Sequence, residues 1–211
     1  MKVTILGAGN MGSAFVKQLT RAGHQVRVTA RTAEKATAVA AAHPGAIASQ
    51  PAEALGDSSV VIVATGYADA VPALKSLGSL AGKVVIDVTN PLSTDYSGLT
   101  LGHVTSAAEE IAKEFPEAEV VKAFNTVFAQ VLADGPVLQY GQTVPVFVAG
   151  DSERARTVAK SLVQSMGFKA VDAGPLKNAR YLEPVAGLNI YFGYGAGHGT
   201  AIAPAWISKA A

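Results

Sequence analysis

Short apolar runs alternate with amphipathic stretches over most of this chain. Residues 3–6 and 60–64 are continuously apolar or β-branched, the pattern of strands buried on both faces of a parallel sheet. Between such runs, apolar residues recur at helical spacing, as at Met11, Phe15 and Leu19. The pattern predicts strands at residues 3–6, 25–29, 46–49, 60–64, 83–88, 119–124, 144–150 and 169–172. It predicts helices at residues 11–22, 33–42, 51–55, 68–77, 107–115, 152–166 and 179–194.

This alternation predicts an α/β fold, with a Rossmann-type, doubly wound and mostly parallel sheet. The pattern beyond residue 140 is less regular, and we expect a small C-terminal α/β extension there that ends in a long apolar helix. In that helix, five side chains predict a buried or intersubunit surface: Leu182, Val185, Leu188, Ile190 and Phe192.

A glycine motif joins the first strand to the first helix. Gly7, Gly9 and Gly12 form a G-x-G-x-x-G inside a strand–helix–strand unit of about thirty residues. Gly7 permits the tight reversal, Gly9 lets a diphosphate approach the backbone, and Gly12 lets the helix lie close to the strand. Asn10 and Met11 open the helix, whose free N–H groups and positive dipole end attract an anion. The motif predicts dinucleotide binding; a glycine-rich turn that binds nothing is the alternative.

The end of the second strand indicates which dinucleotide. An acidic residue that would hold the ribose 2′-hydroxyl of NAD is missing at Thr29 and Ala30, and Arg31 follows. A guanidinium matches a 2′-phosphate with two hydrogen bonds. Lys35 adds a second positive charge, and Thr29 and Thr32 add hydroxyl groups. These residues favour NADP over NAD, with ordinary surface charges as the alternative for Arg31 and Lys35.

The remaining candidates follow other strands. In a doubly wound sheet, ligands bind beyond the carboxyl ends of the strands. We therefore expect a nucleotide-binding domain over residues 1–140 and a substrate or dimerisation region over residues 141–211. The residues expected to line the route of the nicotinamide are Ala64, Thr65, Gly66 and Tyr67 after the fourth strand, Asn90 and Pro91 after the fifth, and Asn125 and Thr126 after the sixth.

Composition narrows the function further. The chain has no cysteine, which excludes thiol nucleophiles and cysteine metal sites, and its four histidines show no metal-binding spacing. A formal net charge of +1 offers no basic excess for nucleic acid or a membrane surface. Because Met1 leads directly into a strand and no stretch has membrane-spanning composition, we expect a cytoplasmic location. Hydrophobic residues make up 49% of the chain, which favours a homodimer that covers part of the surface.

Four motifs in order give the chain a family resemblance. It resembles the NADP-dependent oxidoreductases that use the deazaflavin coenzyme F420, and the resemblance covers essentially the whole chain. The motifs are GAGNMG at 7–12, ART at 30–32, KAFNT at 122–126 and DAGPL at 172–176.

The resemblance implies a dimeric enzyme that passes a hydride between NADP(H) and a flavin-like ring. It implies that Arg31 and Lys35 bind the 2′-phosphate, that residues 64–66 lie beside the cofactor, and that residues 125–129, ending at Ala129, lie near the nicotinamide. The archaeal deazaflavin enzymes tend to carry a histidine where this chain has Asn125. The sequence Lys-Ala-Phe-Asn at 122–125 looks more like that of relatives fused to membrane ferric reductases, which pass the hydride to an ordinary flavin. Coenzyme F420, FMN and FAD are therefore all candidate acceptors.

Hydride transfer between stacked rings needs alignment and exclusion of water rather than a side-chain acid. We name no chemical catalyst, and Asn125 is the candidate for orienting the nicotinamide or the acceptor. Two alternatives stay open: an NADPH-dependent imine or keto-acid reductase, for which Lys177 is the candidate proton donor, and a non-catalytic NADPH-binding protein. The glycines at 193, 195, 197 and 199, with nearby Tyr191, Tyr194 and His198, predict either close packing or an aromatic wall against a ring.

Overall fold

A computed structural model describes residues 1–207 and 209. Its strands are β1 (Lys2–Leu6), β2 (Gln25–Thr29), β3 (Ala46–Ala48), β4 (Val60–Val63), β5 (Val84–Asp87), β6 (Glu119–Lys122), β7 (Pro145–Gly150) and β8 (Lys169–Asp172). Its α-helices are α1 (Asn10–Arg21), α2 (Ala33–Ala42), α3 (Pro51–Ala54), α4 (Tyr67–Lys75), α5 (Ala107–Glu114), α6 (Ala129–Asp134), α7 (Glu153–Ser165) and α8 (Ala179–Ile190).

The eight strands form one sheet in the order β3-β2-β1-β4-β5-β6-β7-β8. All neighbouring pairs are parallel except β6 and β7, which run antiparallel. The predicted doubly wound, mostly parallel sheet is therefore confirmed. Strand order reverses beside β1, so the crevice at the carboxyl ends of β1 and β4 is the place where this fold binds ligands.

Both faces of the sheet carry a hydrophobic core, because consecutive residues of the central strands β1, β4 and β5 are mostly apolar and point to opposite faces. One core contains Val3, Ile5 and Ile62, which pack with Phe15 of α1. The other contains Leu6, Val61, Val63 and Val85 with residues of α4 and α5. Burial on both faces explains why these strands read as continuous apolar runs.

The first helix ends as its sequence predicts. Phe15 and Leu19 are fully buried, and Gly23 takes a left-handed φ of 80° just after the helix. Glycine adopts this conformation without the steric penalty of a side chain. The strand–helix–strand unit therefore closes within the first 29 residues.

The structure corrects the last helix. The α-helix stops at Ile190 and continues as one π-helical turn over Tyr191–Gly195. Of the five side chains predicted to form a buried or intersubunit surface, Leu182 is buried within the chain and Leu188 is 54% exposed, and the intersubunit alternative stays a prediction. The buried side of α8 also carries two polar residues, Glu183 and Asn189, which apolar periodicity alone does not mark.

The C-terminal strands extend the main sheet. β7 joins β6 through Val121–Gly150 and Lys122–Ala149 pairs, and β8 adds in parallel at the edge. The division at residue 140 stays a prediction. Among the described residues, no helix combines the length and the apolar composition that crossing a bilayer requires.

Candidate functional site

The glycine motif makes the sharp turn between β1 and α1, and its three glycines are needed for different reasons. Gly7 has a φ of 120°, and a Cβ there would lie 2.4 Å from the carbonyl oxygen of Ala64. A Cβ on Gly12 would lie 1.9 Å from the carbonyl oxygen of Gly7. A Cβ on Gly9 would meet no heavy atom within 4 Å among the described residues. Gly7 and Gly12 therefore hold the turn together, while Gly9 leaves space open in front of it.

The N-terminus of α1 faces this space. Gly9 is the N-cap residue, and the first turn holds no acidic residue and no side-chain cap. The N–H groups of the first helical residues have no partner within their own helix. The turn is thus a cradle of the kind that binds phosphate.

A cavity of about 710 Å³ lies beside the turn, at the carboxyl ends of β1, β2 and β4. Arg31 and Lys35 line it and are exposed, and neither pairs with a carboxylate within the part of the chain that the structure describes. Asp69 is the acid on this lining. Nine predicted residues meet here: Gly7, Gly9, Ala30, Arg31, Thr32, Lys35, Ala64, Thr65 and Gly66. Pro51, Asp69 and Pro72, on α3 and α4, were not predicted.

A second cavity of about 260 Å³ lies on the other side of the turn, beyond β5 and β6. Six predicted residues line it: Asn10, Met11, Asn90, Asn125, Thr126 and Ala129. The rest of its lining includes Tyr96 and Asn189, which the sequence did not single out, together with Phe128 from the predicted range 125–129 and Tyr194 from the predicted aromatic wall. The glycine turn therefore contributes to two cavities at once.

Hydrogen bonds fix the side chain of Asn125 in this second cavity. Its Nδ2 donates to Oδ1 of Asn90 at 3.0 Å and to the carbonyl oxygen of Leu182 at 3.0 Å. Asn90 in turn donates to the carbonyl oxygen of Asn125 at 2.9 Å. Since Nδ2 faces two acceptors, the amide orientation is determined, and Oδ1 is left buried without a partner among the described residues. A buried acceptor without a donor is unfavourable, and because this one lies on a residue that lines the cavity, it is available to a donor on a bound ligand.

The residue before Asn125 has an unusual backbone. Phe124 has a φ of 60° although its side chain is bulky and fully buried. Its ring packs edge-on against Phe15 at 5.0 Å and against Phe168 at 6.2 Å between ring centroids. A non-glycine residue in this region is strained and persists only when its surroundings hold it. The aromatic packing thus sets the direction in which the chain presents Asn125.

A third cavity of about 880 Å³ adjoins the second between residues 92–99 and α8 with its π-helical turn. The two cavities share Leu92, Tyr96, Ile190 and Tyr194. Tyr96 stands at the tip of the 92–99 loop with a φ of 59°. The carboxylate of Asp95 accepts hydrogen bonds from the Ser93 hydroxyl and from both the N–H and the hydroxyl of Ser97, and these bonds lower the pKa of Asp95 to about 2.

The glycine-rich segment after α8 fits both interpretations offered by the sequence. A Cβ on Gly193 would lie 2.6 Å from Cζ of Phe128, so this glycine is required for close packing. Tyr194 packs edge-on against Phe128 at 5.7 Å and also lines the second and third cavities. The segment therefore packs tightly through its glycine and presents an aromatic ring to the cavities.

Four predicted residues line none of these three cavities: Gly12, Thr29, Tyr67 and Pro91. Gly12 acts through packing, and Thr29 is fully buried with its carbonyl oxygen bonded to the N–H of Gly7. Tyr67 begins α4, and burial, together with nearby carboxylates, raises its pKa. Pro91 is buried at the base of the 92–99 loop.

A buried ion cluster lies behind the second cavity. Nζ of Lys122 lies 2.6 Å from Oδ2 of Asp87 and 2.8 Å from Oε1 of Glu183, and all three side chains are 0–1% exposed. We call these three residues the Lys122 cluster. Sequence reasoning missed it, although Asp87 and Lys122 end two buried strands in register, which is an unusual place for charges.

The residues present fit a dinucleotide. The cradle at Gly9 lies between two cavities and joins them into one line. The first, of about 710 Å³, is lined by Arg31 and Lys35, and the second by Asn125, whose Oδ1 has no partner among the described residues. A phosphate-binding turn between a cationic cavity and a small cavity with one free acceptor matches the three parts of NADP: 2′-phosphate end, diphosphate and nicotinamide.

Comparison with known proteins gives the family. The family model described as "NADP oxidoreductase coenzyme F420-dependent" matches residues 2–91. The chain is 31% identical over 210 residues to the F420-dependent NADP reductase of Methanothermobacter marburgensis, covering 90% of this chain and 91% of that protein. A solved structure from Arthrobacter sp. FB24, assigned to the F420-dependent NADP reductases, superposes with a TM-score of 0.85 at 28% identity and covers 95% of this chain and 96% of the other.

A further relative is longer. The metalloreductase STEAP3 of Rattus norvegicus is 33% identical over 186 residues, which cover 87% of this chain but 36% of that protein. The chain thus spans about a third of the length of this metalloreductase. The match with the M. marburgensis protein extends over nearly the full length of both, and the fold and the glycine turn agree with it. The chain belongs to the F420-dependent NADP reductase family of oxidoreductases.

Proposed function

We propose that this protein binds NADPH along the line of cavities and transfers a hydride between it and a flavin-like ring, either coenzyme F420 or an ordinary flavin such as FMN or FAD. The observation that carries the proposal is the junction at the glycine turn. On one side of the turn lies the first cavity, which carries Arg31 and Lys35. On the other side lies the small second cavity, which opens onto the third cavity, an apolar groove. When bound, the nicotinamide supplies the hydride.

The first cavity, of about 710 Å³ and lined by Arg31 and Lys35, receives the phosphorylated adenosine end. Arg31 and Lys35 carry positive charge there without a competing salt bridge among the described residues. The guanidinium of Arg31 binds the 2′-phosphate with two donors, and Lys35 contributes a further donor. The free N–H groups at Asn10 and Met11 bind the diphosphate in the space that Gly9 leaves open.

The small cavity receives the nicotinamide. Oδ1 of Asn125 accepts a hydrogen bond from the carboxamide, which satisfies the buried acceptor and fixes the ring about its glycosidic bond. Met11 and Phe128 line the same cavity and exclude water from the ring. We infer no side-chain acid in the reaction, because a flavin-type ring takes its proton from solvent.

The third cavity receives the acceptor. Its lining is mostly apolar, with the rings of Tyr96, Tyr191 and Tyr194, and its volume of about 880 Å³ fits a tricyclic ring. Because it shares Tyr96 and Tyr194 with the nicotinamide cavity, an acceptor ring there meets the nicotinamide without crossing solvent. Hydride transfer needs this proximity, with reacting atoms about 3–3.5 Å apart.

The imine or keto-acid reductase alternative has less support. That chemistry needs a donor that protonates the substrate, and the candidate from the sequence was Lys177. Lys177 lies in a short 3₁₀ helix, Leu176–Asn178, and lines none of the three cavities. A non-catalytic NADPH-binding protein would have no use for the apolar groove beside the nicotinamide cavity.

We also propose a homodimer, with residues 141–211 supplying acceptor contacts and the subunit contact. The outer face of β7 and β8 borders a cavity of about 880 Å³ lined by Phe147, Val171, Tyr181 and Trp206. Tyr181 and Trp206 are each 72% exposed. An apolar sheet face of this kind is typical of a surface that a second subunit covers.

Turnover of NADPH tests the function. Oxidation is followed by absorbance with F420, FMN, FAD, a cyclic imine and a keto acid as acceptors. We expect turnover with one or more of the flavin-like rings and none with the imine or the keto acid. Steady turnover with the imine or keto acid alone, or NADPH binding without oxidation by any acceptor, contradicts the proposal.

Asn125→Ala tests the orienting role, with Asn178→Ala as its matched control. Asn178 donates to the carbonyl oxygen of Ala173 outside the nicotinamide cavity. We expect Asn125→Ala to slow turnover and Asn178→Ala to leave it near that of the unmodified protein. Equal rates in the two variants would remove Asn125 from the mechanism.

A further inference from the structure

The ammonium of Lys122 joins three segments that are far apart in the sequence. It lies 2.6 Å from Oδ2 of Asp87 at the end of β5, 2.7 Å from the carbonyl oxygen of Thr89, and 2.8 Å from Oε1 of Glu183 on α8. A lysine ammonium has three donors, and all three have acceptors here. The Lys122 cluster is therefore a complete coordination of one buried charge.

The carboxylate of Glu183 is also fully bonded. Oε2 accepts the N–H of Ala107 at 3.0 Å, and Oε1 accepts the N–H of Ala108 at 3.3 Å. These N–H groups belong to the first turn of α5, where the helix dipole favours a negative charge. Glu183 thus connects β6, α5 and α8 at one point.

Stability alone is a weak reason for such a cluster. Taking charges out of water carries a desolvation penalty that can exceed their attraction, and well-packed apolar residues often do as well. The cluster does supply direction, because each bond has a defined partner. The cluster therefore fixes the positions of the residues that follow it along β5, β6 and α8.

All three segments lead directly into the nicotinamide cavity. β5 continues to Asn90, β6 continues to Asn125, and α8 continues from Glu183 to Ala186 and Asn189. The residue next to Glu183, Leu182, offers the carbonyl oxygen that holds Nδ2 of Asn125 at 3.0 Å. The position of that carbonyl depends on where Glu183 holds α8.

We propose that Glu183, held by Lys122 and by the N-terminus of α5, is a positioning residue for the nicotinamide end of the site. It acts through the Leu182 carbonyl, which turns the amide of Asn125 so that Oδ1 stays free as an acceptor. This inference rests on the proposed function, because it concerns the residue assigned there to the nicotinamide.

The position of Glu183 predicts a pH effect. The titratable groups around it are Lys122 on β6, Asp87 on β5 and the phenol of Tyr67 on α4. Burial raises the pKa of Glu183 above that of an ordinary glutamate. Protonation at acidic pH removes the charge that Lys122 and α5 bind, so hydride transfer should decline on the acid side as Glu183 is protonated.

The test compares Glu183→Gln with Glu109→Gln. Arg180, at the start of α8, donates hydrogen bonds from its Nε and Nη2 to the carboxylate of Glu109 on α5 at 2.7–3.2 Å. Glu109 therefore joins the same two helices but does not touch the Leu182–Asn125 contact. A general loosening of α8 affects both variants alike, while the positioning role belongs to Glu183 alone.

Two readouts separate positioning from folding. The first is the side-chain amide resonance of Asn125 in ¹⁵N-labelled protein without ligand, assigned with Asn125→Asp. The second is the hydride-transfer rate beside the Kd for NADPH. We expect Glu183→Gln to shift the amide resonance, to slow transfer by about 10- to 100-fold, to remove the acid limb of the rate profile, and to leave the NADPH Kd within about threefold. We expect Glu109→Gln to leave the amide resonance, the transfer rate, the acid limb and the NADPH Kd close to those of the unmodified protein.

Contrary results are distinct for each idea. An unmoved amide resonance in Glu183→Gln, or equal losses in both glutamine variants, overturns the positioning role. If Asn125→Ala transfers hydride at the normal rate, the role proposed for Asn125 fails, and the resonance still reports whether Glu183 sets its amide. Should Glu183→Gln not fold, a pH titration of the unmodified protein decides: the resonance and the rate must follow one apparent pKa, and separate titrations refute the inference.

Discussion

Replacing Arg31 by alanine should separate the two nicotinamide cofactors. Arg31 lines the cavity of about 710 Å³ beside the glycine turn and is exposed. A hydrogen bond to a charged group contributes about 1.5–3 kcal/mol. Because solvent and salt screen an exposed charge, we expect the lower half of that range, about 1.5–2 kcal/mol. This corresponds to a roughly 12- to 30-fold rise in the Kd for NADPH.

NADH lacks the 2′-phosphate, so its affinity should stay nearly unchanged in Arg31→Ala. Asp69 on the same lining makes this contrast sharper, because removal of Arg31 leaves an acid that repels the phosphate. Lys35 remains in the variant and retains part of the preference. The double variant Arg31→Ala/Lys35→Ala should therefore bind both cofactors with similar affinity.

The assay is a fluorescence titration of each reduced cofactor at low and high salt. Lys17→Ala is the control, since Lys17 is an exposed lysine on α1 that does not line the cavity. This control removes the same charge, so any loss through the general field of the protein appears there too. Equal losses for NADPH and NADH in Arg31→Ala, or a preference of the unmodified protein for NADH, would refute the reasoning.

Four further variants test other parts of the protein. Gly9→Val should leave the fold intact and abolish NADPH binding. Gly12→Ala should destabilise the protein, because its Cβ would lie 1.9 Å from the carbonyl oxygen of Gly7. Thermal unfolding measures stability and cofactor titration measures binding, and the opposite pattern would contradict the role of Gly9. Tyr191→Ala removes a ring that lines the third cavity but not the second, so it should raise the KM for a flavin-like acceptor in steady-state kinetics and leave the NADPH Kd unchanged. A change in the NADPH Kd alone would count against the third cavity as the acceptor site. Trp206→Ala, which removes the ring packed edge-on on Phe147 at 5.1 Å, should weaken the dimer in light scattering, and a monomeric unmodified protein would end that proposal.

The sequence could predict which residues of the candidate nucleotide site lie together, because they are close along the chain. The glycine turn, Arg31 and Lys35 lie within the first 35 residues, between the end of β1 and the first turn of α2, and they line one cavity. The strands were predictable for a similar reason, since burial on both faces leaves a continuous apolar run. Strand ends differ from the prediction by at most two residues, as at β4 and β5.

The nicotinamide half was only partly predictable because it depends on long-range contacts. Asn125 was identified as a strand-end residue, but its partners Asn90 and Leu182 lie 35 and 57 residues away. Glu183 lies in a helix interpreted as apolar, and its partner Lys122 was quoted only as part of a motif. Charges that end two adjacent buried strands were the available signal, and a search for such pairs would have found Asp87 and Lys122.

This difference has a consequence for how the site can vary. The phosphate end relies on main-chain groups of one turn, so only a change of glycine or of a rim charge alters it. The proposed acceptor end is lined by side chains of α8, its π-helical turn and the 92–99 loop, which can change without disturbing the glycine turn. A protein built this way can keep its NADPH site while its acceptor differs. Under the proposed function, we therefore expect the identity of the acceptor to depend on residues such as Tyr96 and Tyr194, and the glycine motif to determine only that a dinucleotide binds.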